Sequence, residues 1–191
     1  MEVKQSEIST PMTYPDMRVI SSPATFQLID KDGRAGILRT IRNSNRINYL
    51  VHYQTGDNGV SRTGHWACMS VIGKNIYFFD SLGLFPDNEL NKINSTYRVT
   101  SGQTQRVLGR ILFTLSQQGF NIYYNDTQYQ NNLPSVATCG RYCAAFMRYM
   151  ATFNEKDPYN GFKAYIGKFR LPNEKFYDQA IVRWQKERNK I

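Results

Sequence analysis

Cysteine is scarce in this chain: three in 191 residues. An odd and small number argues against a disulfide framework and for a reducing compartment, where a thiol can act as a reagent. No apolar run approaches the roughly 20 residues that a membrane-spanning helix needs, so no membrane partner is expected. The opening segment MEVKQSEISTPMTYPDM lacks the apolar stretch of a secretory leader, and secretion is not expected. Internal repeats, an obvious linker, a dense basic arm and a recognised nucleic-acid motif are also missing. The length suits one domain, large enough to bury a core without metal or disulfide staples.

Hydrophobic residues make up 41% and aromatics 14%, which excludes disorder over most of the chain. Lys and Arg number 24 against 15 Asp and Glu, a net charge of +9. That excess favours polyanions. The basic residues are spread along the chain, with local density in KAYIGKFR and WQKERNK. Nonspecific binding to a DNA backbone is therefore the expectation, not reading of base sequence.

Residues 1–22 are polar and broken by Pro11 and Pro15, with Pro23 just beyond. They are expected to form an extended N-terminal arm, leaving residues 23–191 as a single domain. TFQLID and GILRTIR fit short strands, or one strand and a helical turn. RINYLVHYQ is rich in aromatic and β-branched residues and reads as a strand. TGDNGVSRTG is turn chemistry and reads as a loop. HWACMSVIG and NIYFFD read as two strands joined by a tight turn at Gly73 and Lys74. SLGLFPDNEL leads into a short helix, and FNIYYN is a further strand. TQRVLGRILFTLSQQ places Val107, Ile111, Leu112 and Leu115 on one helical face. After the polar loop DTQYQNNLPSVAT, CGRYCAAFMRYMATF reads as a helix. LPNEKFYDQAIVRWQKERN is expected as the last, with Pro172 near its start. Strands and helices mix without a βαβ rhythm, which predicts an α+β domain.

Two places could carry chemistry. If the turn after Ile72 has two residues, Ile72 pairs with Asn75 and Ala67 lies opposite Asp80. His65 and Asp80 then share a sheet face as diagonal neighbours. The rest of that face (Ala67, Met69, Val71, Ile76 and Phe78) is apolar, so two polar groups at its end need a reason. A turn one residue longer would put them on opposite faces, and a loop-edge histidine with a local hydrogen bond is the plain alternative. The second place is SVATCGRYCAAF. A helix beginning near Cys139 holds its thiol where unpaired backbone N–H groups converge, a setting that stabilises thiolate. Gly140 leaves room for a carbonyl, and the Cys139 N–H could donate to an oxyanion. Cys143, one turn on, and Cys68, in mid-strand, fit buried packing. His65, Cys68, Cys139 and Cys143 supply zinc-type ligands. However, His65 and Cys68 point to opposite faces of their strand, and closure is awkward. A disulfide between Cys139 and Cys143 within a helical turn is sterically poor.

Read in order, the pieces are GHW, FFDSLG, a Gln-bearing loop and ATCGRYC at a helix start. Over residues 46 to 153 this resembles the adenovirus-type and SUMO/ubiquitin-like-protease superfamily of cysteine peptidases. The resemblance implies a papain-like or adenain-like fold: a central mixed or antiparallel sheet packed against helices, with the nucleophile at a helix N-terminus. It implies Cys139 as nucleophile, His65 as general base and then acid, and Asp80 as the group that orients the imidazole. A loop glutamine would donate to the oxyanion. Gln130, nine positions before Cys139, is preferred, with Gln128 in reserve; both lie further upstream than is usual in that superfamily. Trp66 would lie near the site or serve as a core aromatic.

The compact length looks closer to viral capsid-processing members, such as those of virophages. The resemblance thus implies an endopeptidase that cuts viral capsid precursors at small-residue, Gly-containing sites, in the virion or the cytoplasm of the infected cell. It implies no cofactor for the chemical step, although some relatives are stimulated by DNA or a peptide. The competing expectations are a ubiquitin-like or SUMO-like deconjugating protease, an acyltransferase of related fold, and a DNA-binding or structural protein with a degenerate core.

Overall fold

The computed structural model describes residues 2–21, 26–57, 62–153 and 157–189. The architecture is α+β. Its contacts fall into two compact units, where the sequence reading expects one domain over 23–191. A helical unit comprises Met1–Ala24, Ser81–Gly83 and Thr127–Ile191; a sheet unit comprises Thr25–Asp80 and Leu84–Asp126.

The sheet unit holds five strands in spatial order β1-β2-β3-β4-β5: Phe26–Leu28, Arg46–Asp57, Arg62–Ile72, Asn75–Asp80 and Asn121–Tyr124. β2, β3 and β4 are antiparallel, whereas β1 and β5 add parallel at the two edges, so the sheet is mixed. The tight turn falls at Gly73 and Lys74, with Gly73 at φ 56°, the positive value that a type II′ hairpin takes at its first central residue. Ile72 accordingly pairs with Asn75, and Ala67 with Asp80. Strand pairing also runs into the segment TGDNGVSRTG, which reads as loop throughout: β2 continues to Asp57 and β3 begins at Arg62. The middle of that segment lies outside the described residues.

GILRTIR lies in a helix, α3 (Ile29–Asn43), interrupted at Gly33, whose φ of 59° is not helical. Ile37 and Ile41, four apart and so on one helical face, are both buried. After a 3-10 turn at Asn88–Lys92 and α4 (Ser95–Thr100) comes α5 (Val107–Ser116). Its buried residues are Leu108, Ile111, Leu112 and Leu115; Val107, expected on that face, is exposed. These side chains form one core with Tyr49, Val51, Tyr53, Ala67, Met69, Val71, Ile76 and Phe78.

The helical unit overturns the expectation of an extended arm over residues 1–22. That segment contains α1 (Gln5–Ser9) and α2 (Tyr14–Ser21), with Ile8, Met12, Met17 and Ile20 buried. It is tied down by the Ala137 N–H on the Ile8 carbonyl, by Arg141 on the Thr10 carbonyl and by the Lys186–Glu7 ion pair. The unit centres on α6 (Cys139–Ala151), in which ten of 13 residues are buried. α7 (Pro158–Gly167) and α8 (Asp178–Arg188) pack against it. Asp157 caps α7 by accepting from the Tyr159 and Asn160 N–H groups, with Pro158 at the first helical position. α8 begins at Asp178, later than the sequence pattern suggests, so Pro172 lies outside it. The rings of Tyr129, Tyr142, Phe146, Tyr149, Phe162 and Tyr165 interlock between these elements.

Candidate active site

The candidate residues lie in two groups, one in each unit. In the sheet unit, the two-residue turn sets the register that places His65 and Asp80 at one end of the face shared with Ala67, Met69 and Val71. His65 Nε2 lies 3.0 Å from both Oδ1 and Oδ2 of Asp80, and both residues are buried. An ionised carboxylate only accepts, so Nε2 carries the hydrogen. In the neutral ring Nδ1 is then the basic nitrogen.

Asp80 is itself held. Asn125, one residue beyond β5, accepts from the Asp80 N–H at 2.8 Å and donates Nδ2–H to the Asp80 carbonyl at 2.7 Å. Sequence reading missed Asn125; its only signal is an asparagine directly after a short strand. Next to His65, Gly64 allows close backbone approach. A Cβ there would lie 2.2 Å from the Tyr53 carbonyl oxygen and 2.6 Å from His52 Nε2. Trp66, on the face opposite His65, is half-buried and packs on His52 with ring centroids 4.2 Å apart.

In the helical unit, α6 begins at Cys139, whose side chain is 7% exposed. The preceding Thr138 occupies the N-cap position without capping. Its hydroxyl donates instead to Asp178 Oδ1 at 2.5 Å, and α6 has no side-chain cap. A helix leaves its first N–H groups without intrahelical partners, so Cys139 and Gly140 stand at the positive end of the helix dipole. Arg141, one residue further, is a buried cation. Burial pushes its guanidinium below its ordinary value, while interactions with Cys139, Glu7 and Asp16 act in the opposite direction. Cys143 is fully buried on the packing face of α6, Cys68 is buried in β3, and none of the three cysteines is in a disulfide.

Gln130 is buried and held at both ends of its amide. Ser81 Oγ–H donates to Oε1 at 2.8 Å, and Nε2 donates to the Val136 carbonyl at 3.3 Å. The Tyr129 and Gln130 N–H groups both donate to the Ser81 carbonyl at 2.9 Å. Gln128 is exposed and donates its amide to the Gln130 carbonyl. The loop before α6 is fastened by Asp178, which accepts from the Asn131 N–H at 2.9 Å as well as from Thr138. Burial raises the Asp178 carboxyl above its ordinary value, and bonds from Thr138, Asn131 and Tyr142 act against that rise. Ser81 and Asp178 are two further supports that the sequence pattern did not reveal. Among the described residues, no group of three or more His, Cys, Asp or Glu side chains is placed to hold a metal ion. Nor is any helix there long and apolar enough to cross a membrane.

No protein-family model matches the chain. An uncharacterized protein, V9, of Sputnik virophage is 37% identical over 81 residues. The aligned stretch covers 42% of this chain and 45% of that protein, less than half of either. Among solved structures, the chain is similar to the central domain of the uncharacterized Lpg1148 protein from Legionella pneumophila, at 15% identity and a TM-score of 0.45. That alignment covers 95% of this chain and 99% of the other. ChlaDub1 from Chlamydia trachomatis aligns at 11% identity and a TM-score of 0.46, over 94% of this chain and 79% of the other.

Proposed function

We propose that the chain is a cysteine endopeptidase of the adenovirus-type and SUMO/ubiquitin-like-protease superfamily, with a papain-like arrangement of its elements. The observation that carries this reading is the buried His65–Asp80 pair. Its residues stand in the superfamily's chain order, followed by a buried Gln130 and by a cysteine at an uncapped helix start. In this reading His65 Nδ1 takes the proton of the Cys139 thiol as sulfur attacks the scissile carbonyl carbon. Asp80 keeps the hydrogen on Nε2 and stabilises the imidazolium. The oxyanion accepts from the Cys139 N–H and from Gln130 Nε2–H. Imidazolium then protonates the leaving amine, and water attacks the thioester with His65 again as base, releasing acid and free thiol.

We further infer that the substrates are viral capsid or structural precursors cut during particle maturation, in the virion or the cytoplasm of the infected cell. The partial likeness to a virophage protein supports the viral setting of this reading. The step as written uses no cofactor. Stimulation by DNA or a peptide would add to it, and the net charge of +9 suits a DNA-associated protease.

The test is incubation of the chain with capsid precursors of its source virus, beside a fusion terminating in the Gly-Gly of a ubiquitin-like protein, with mapping of new N-termini. Cleavage of the precursors, lost in Cys139→Ala while the variant keeps its unfolding midpoint, is the expected result. Full cleavage by Cys139→Ala would overturn the proposal. Cleavage of the ubiquitin-like fusion alone would replace its substrate with a deconjugation substrate. Acyl transfer from acetyl-CoA without peptide cleavage would replace its reaction.

A further inference from the structure

Within the sheet unit, beside the start of α5, lies a pocket of about 540 Å³ whose lining includes Arg34, Arg98, Arg106 and Arg110 and no carboxylate. Such crowding of like charge is unfavourable unless something offsets it. Elsewhere in the chain cations meet acids: Arg183 pairs with Glu174, Lys186 with Glu7 and Lys92 with Glu89. Among the described residues none of the four pocket arginines has an ion pair. Each is steadied instead by a neutral acceptor. Arg34 donates to Thr114 Oγ1, Arg98 to the Gln103 and Thr104 carbonyls, Arg106 to Asn91 Oδ1 and Arg110 to Gln105 Oε1. A guanidinium has five N–H donors, so most remain for a ligand, already oriented by these bonds.

The nearby carboxylate is Asp87, which is buried; it attracts Arg106 without pairing with it, and its oxygens are used by the fold. It accepts from the Gly109 N–H at 2.7 Å and from the Tyr53 hydroxyl at 3.3 Å. The start of α5 is thereby already served, and the arginines rather than the helix end supply the attraction. Phe113, on the pocket lining, exposes two-thirds of its surface. An adjoining cavity of about 450 Å³ shares Arg34, Gln105 and Arg110, includes Asp87, and adds an apolar wall of Ile37, Val51 and Leu108.

We propose that this pocket binds a ligand carrying two or more linked phosphoryl groups. Phosphoryl oxygens match the planar fork of arginine, and several linked groups engage several forks at once. The exposed Phe113 ring and the adjoining apolar cavity leave room for an organic part, such as a base. The source is a free nucleotide-like polyphosphate or the backbone of single-stranded nucleic acid. The inference does not depend on Cys139 or on any peptidase activity.

Calorimetric titration of the full chain at fixed ionic strength tests it, with tripolyphosphate, ATP and a short single-stranded oligonucleotide as probes and sulfate as reference. The wild type is expected to bind tripolyphosphate saturably and more tightly than sulfate. The exposed pair Arg106→Gln and Arg110→Gln together should weaken binding at least about tenfold, the loss of two charge-assisted contacts. Lys163→Gln with Lys168→Gln removes the same charge from the helical unit and should leave affinity unchanged. An oligonucleotide that competes with tripolyphosphate identifies nucleic acid as the source; binding of tripolyphosphate and ATP alone identifies the free compound. Tripolyphosphate binding no tighter than sulfate overturns the proposal. So does an equal loss of affinity in the lysine pair. A rise in the wild-type melting temperature with added tripolyphosphate gives a second reading that needs no variant.

Discussion

Replacing Gly64 with alanine puts a methyl group where the structure has no room for one. The new Cβ would lie 2.2 Å from the Tyr53 carbonyl oxygen, about 1 Å short of the roughly 3.3 Å at which carbon and carbonyl oxygen ordinarily meet. His52 Nε2, at 2.6 Å, can swing away because it ends a side chain; the Tyr53 oxygen cannot, because it belongs to β2. β3 must therefore shift against β2 at the residue before His65. Overpacking of this kind costs about 1–3 kcal/mol. At a urea dependence of about 2 kcal/mol per molar, the unfolding midpoint falls by about 0.5–1.5 M. Under the proposed chemistry the displaced imidazole also slows turnover, by up to about 100-fold for a shift near 1 Å. Urea melts and peptide hydrolysis, run on Gly64→Ala and wild type side by side, check both numbers. Gly167→Ala is the control: its Cβ would meet nothing within 4 Å, so its stability should stay within about 0.5 kcal/mol of wild type. An unchanged midpoint and unchanged turnover in Gly64→Ala refute the reasoning.

Asp80→Asn should keep the fold and lower kcat/KM by about 10³–10⁴, because an amide no longer fixes the hydrogen on Nε2; a loss below tenfold in a peptide assay contradicts the assigned role. Ser81→Ala removes the hydroxyl on Gln130 Oε1 but keeps the carbonyl that accepts from Tyr129 and Gln130. It should cut kcat by about tenfold or more with KM little changed, and an unaltered kcat counts against Gln130 as oxyanion donor. Asp178→Ala leaves the buried Thr138 hydroxyl and the Asn131 N–H without their acceptor, for a loss of about 2–4 kcal/mol in a urea melt; a loss under 1 kcal/mol would contradict that. Because burial raises the Asp178 carboxyl above 3.8, the folded state holds that proton more tightly than the unfolded chain. Its contribution is therefore complete below 3.8 and is lost as pH rises through the raised value. Melts at stepped pH should show this slope in wild type and not in Asp178→Asn; equal slopes would show that Asp178 titrates normally.

Local pattern was readable wherever one residue's neighbours decide its state. The Gly73-Lys74 turn fixed a register, and the register alone put His65 and Asp80 on one face. The start of α6 at Cys139 followed from CGRYCAAFM, because small and apolar residues at helical spacing run on from it. Residues 1–22 were misread because their prolines and polar residues hide a spacing, Ile8, Met12, Met17 and Ile20, that matters only once α6 and α8 are there to pack against. α7 went unseen for a related reason: its Gly161 and Gly167 weaken the pattern, while the Asp157 cap and buried Phe162 secure the helix. Asn125, Ser81 and Asp178 were invisible for a different reason. Each acts through a hydrogen bond to a residue distant in the chain, and no short-range signal marks such a partner.

The dipeptide Asp80-Ser81 shows what a motif can mean physically. The Asp80 side chain meets His65, and the next side chain meets Gln130. The Gln130 amide has two ends of similar shape but opposite polarity, and a buried amide can turn over unless its neighbours forbid it. A Ser81 hydroxyl could donate to Oε1 or accept from Nε2, so alone it would allow either orientation. The Val136 carbonyl can only accept, so it requires the NH₂ end. With that end fixed, Oε1 faces Ser81, and serine must donate. The pair thus leaves Nε2 with a second hydrogen and a defined direction, the property an oxyanion donor needs in the proposed reaction. Upstream distance from Cys139 is then a weak guide to which glutamine serves. Gln130 is held by two oppositely biased partners, whereas Gln128, exposed and bonded to a backbone carbonyl, has no such pair fixing its amide.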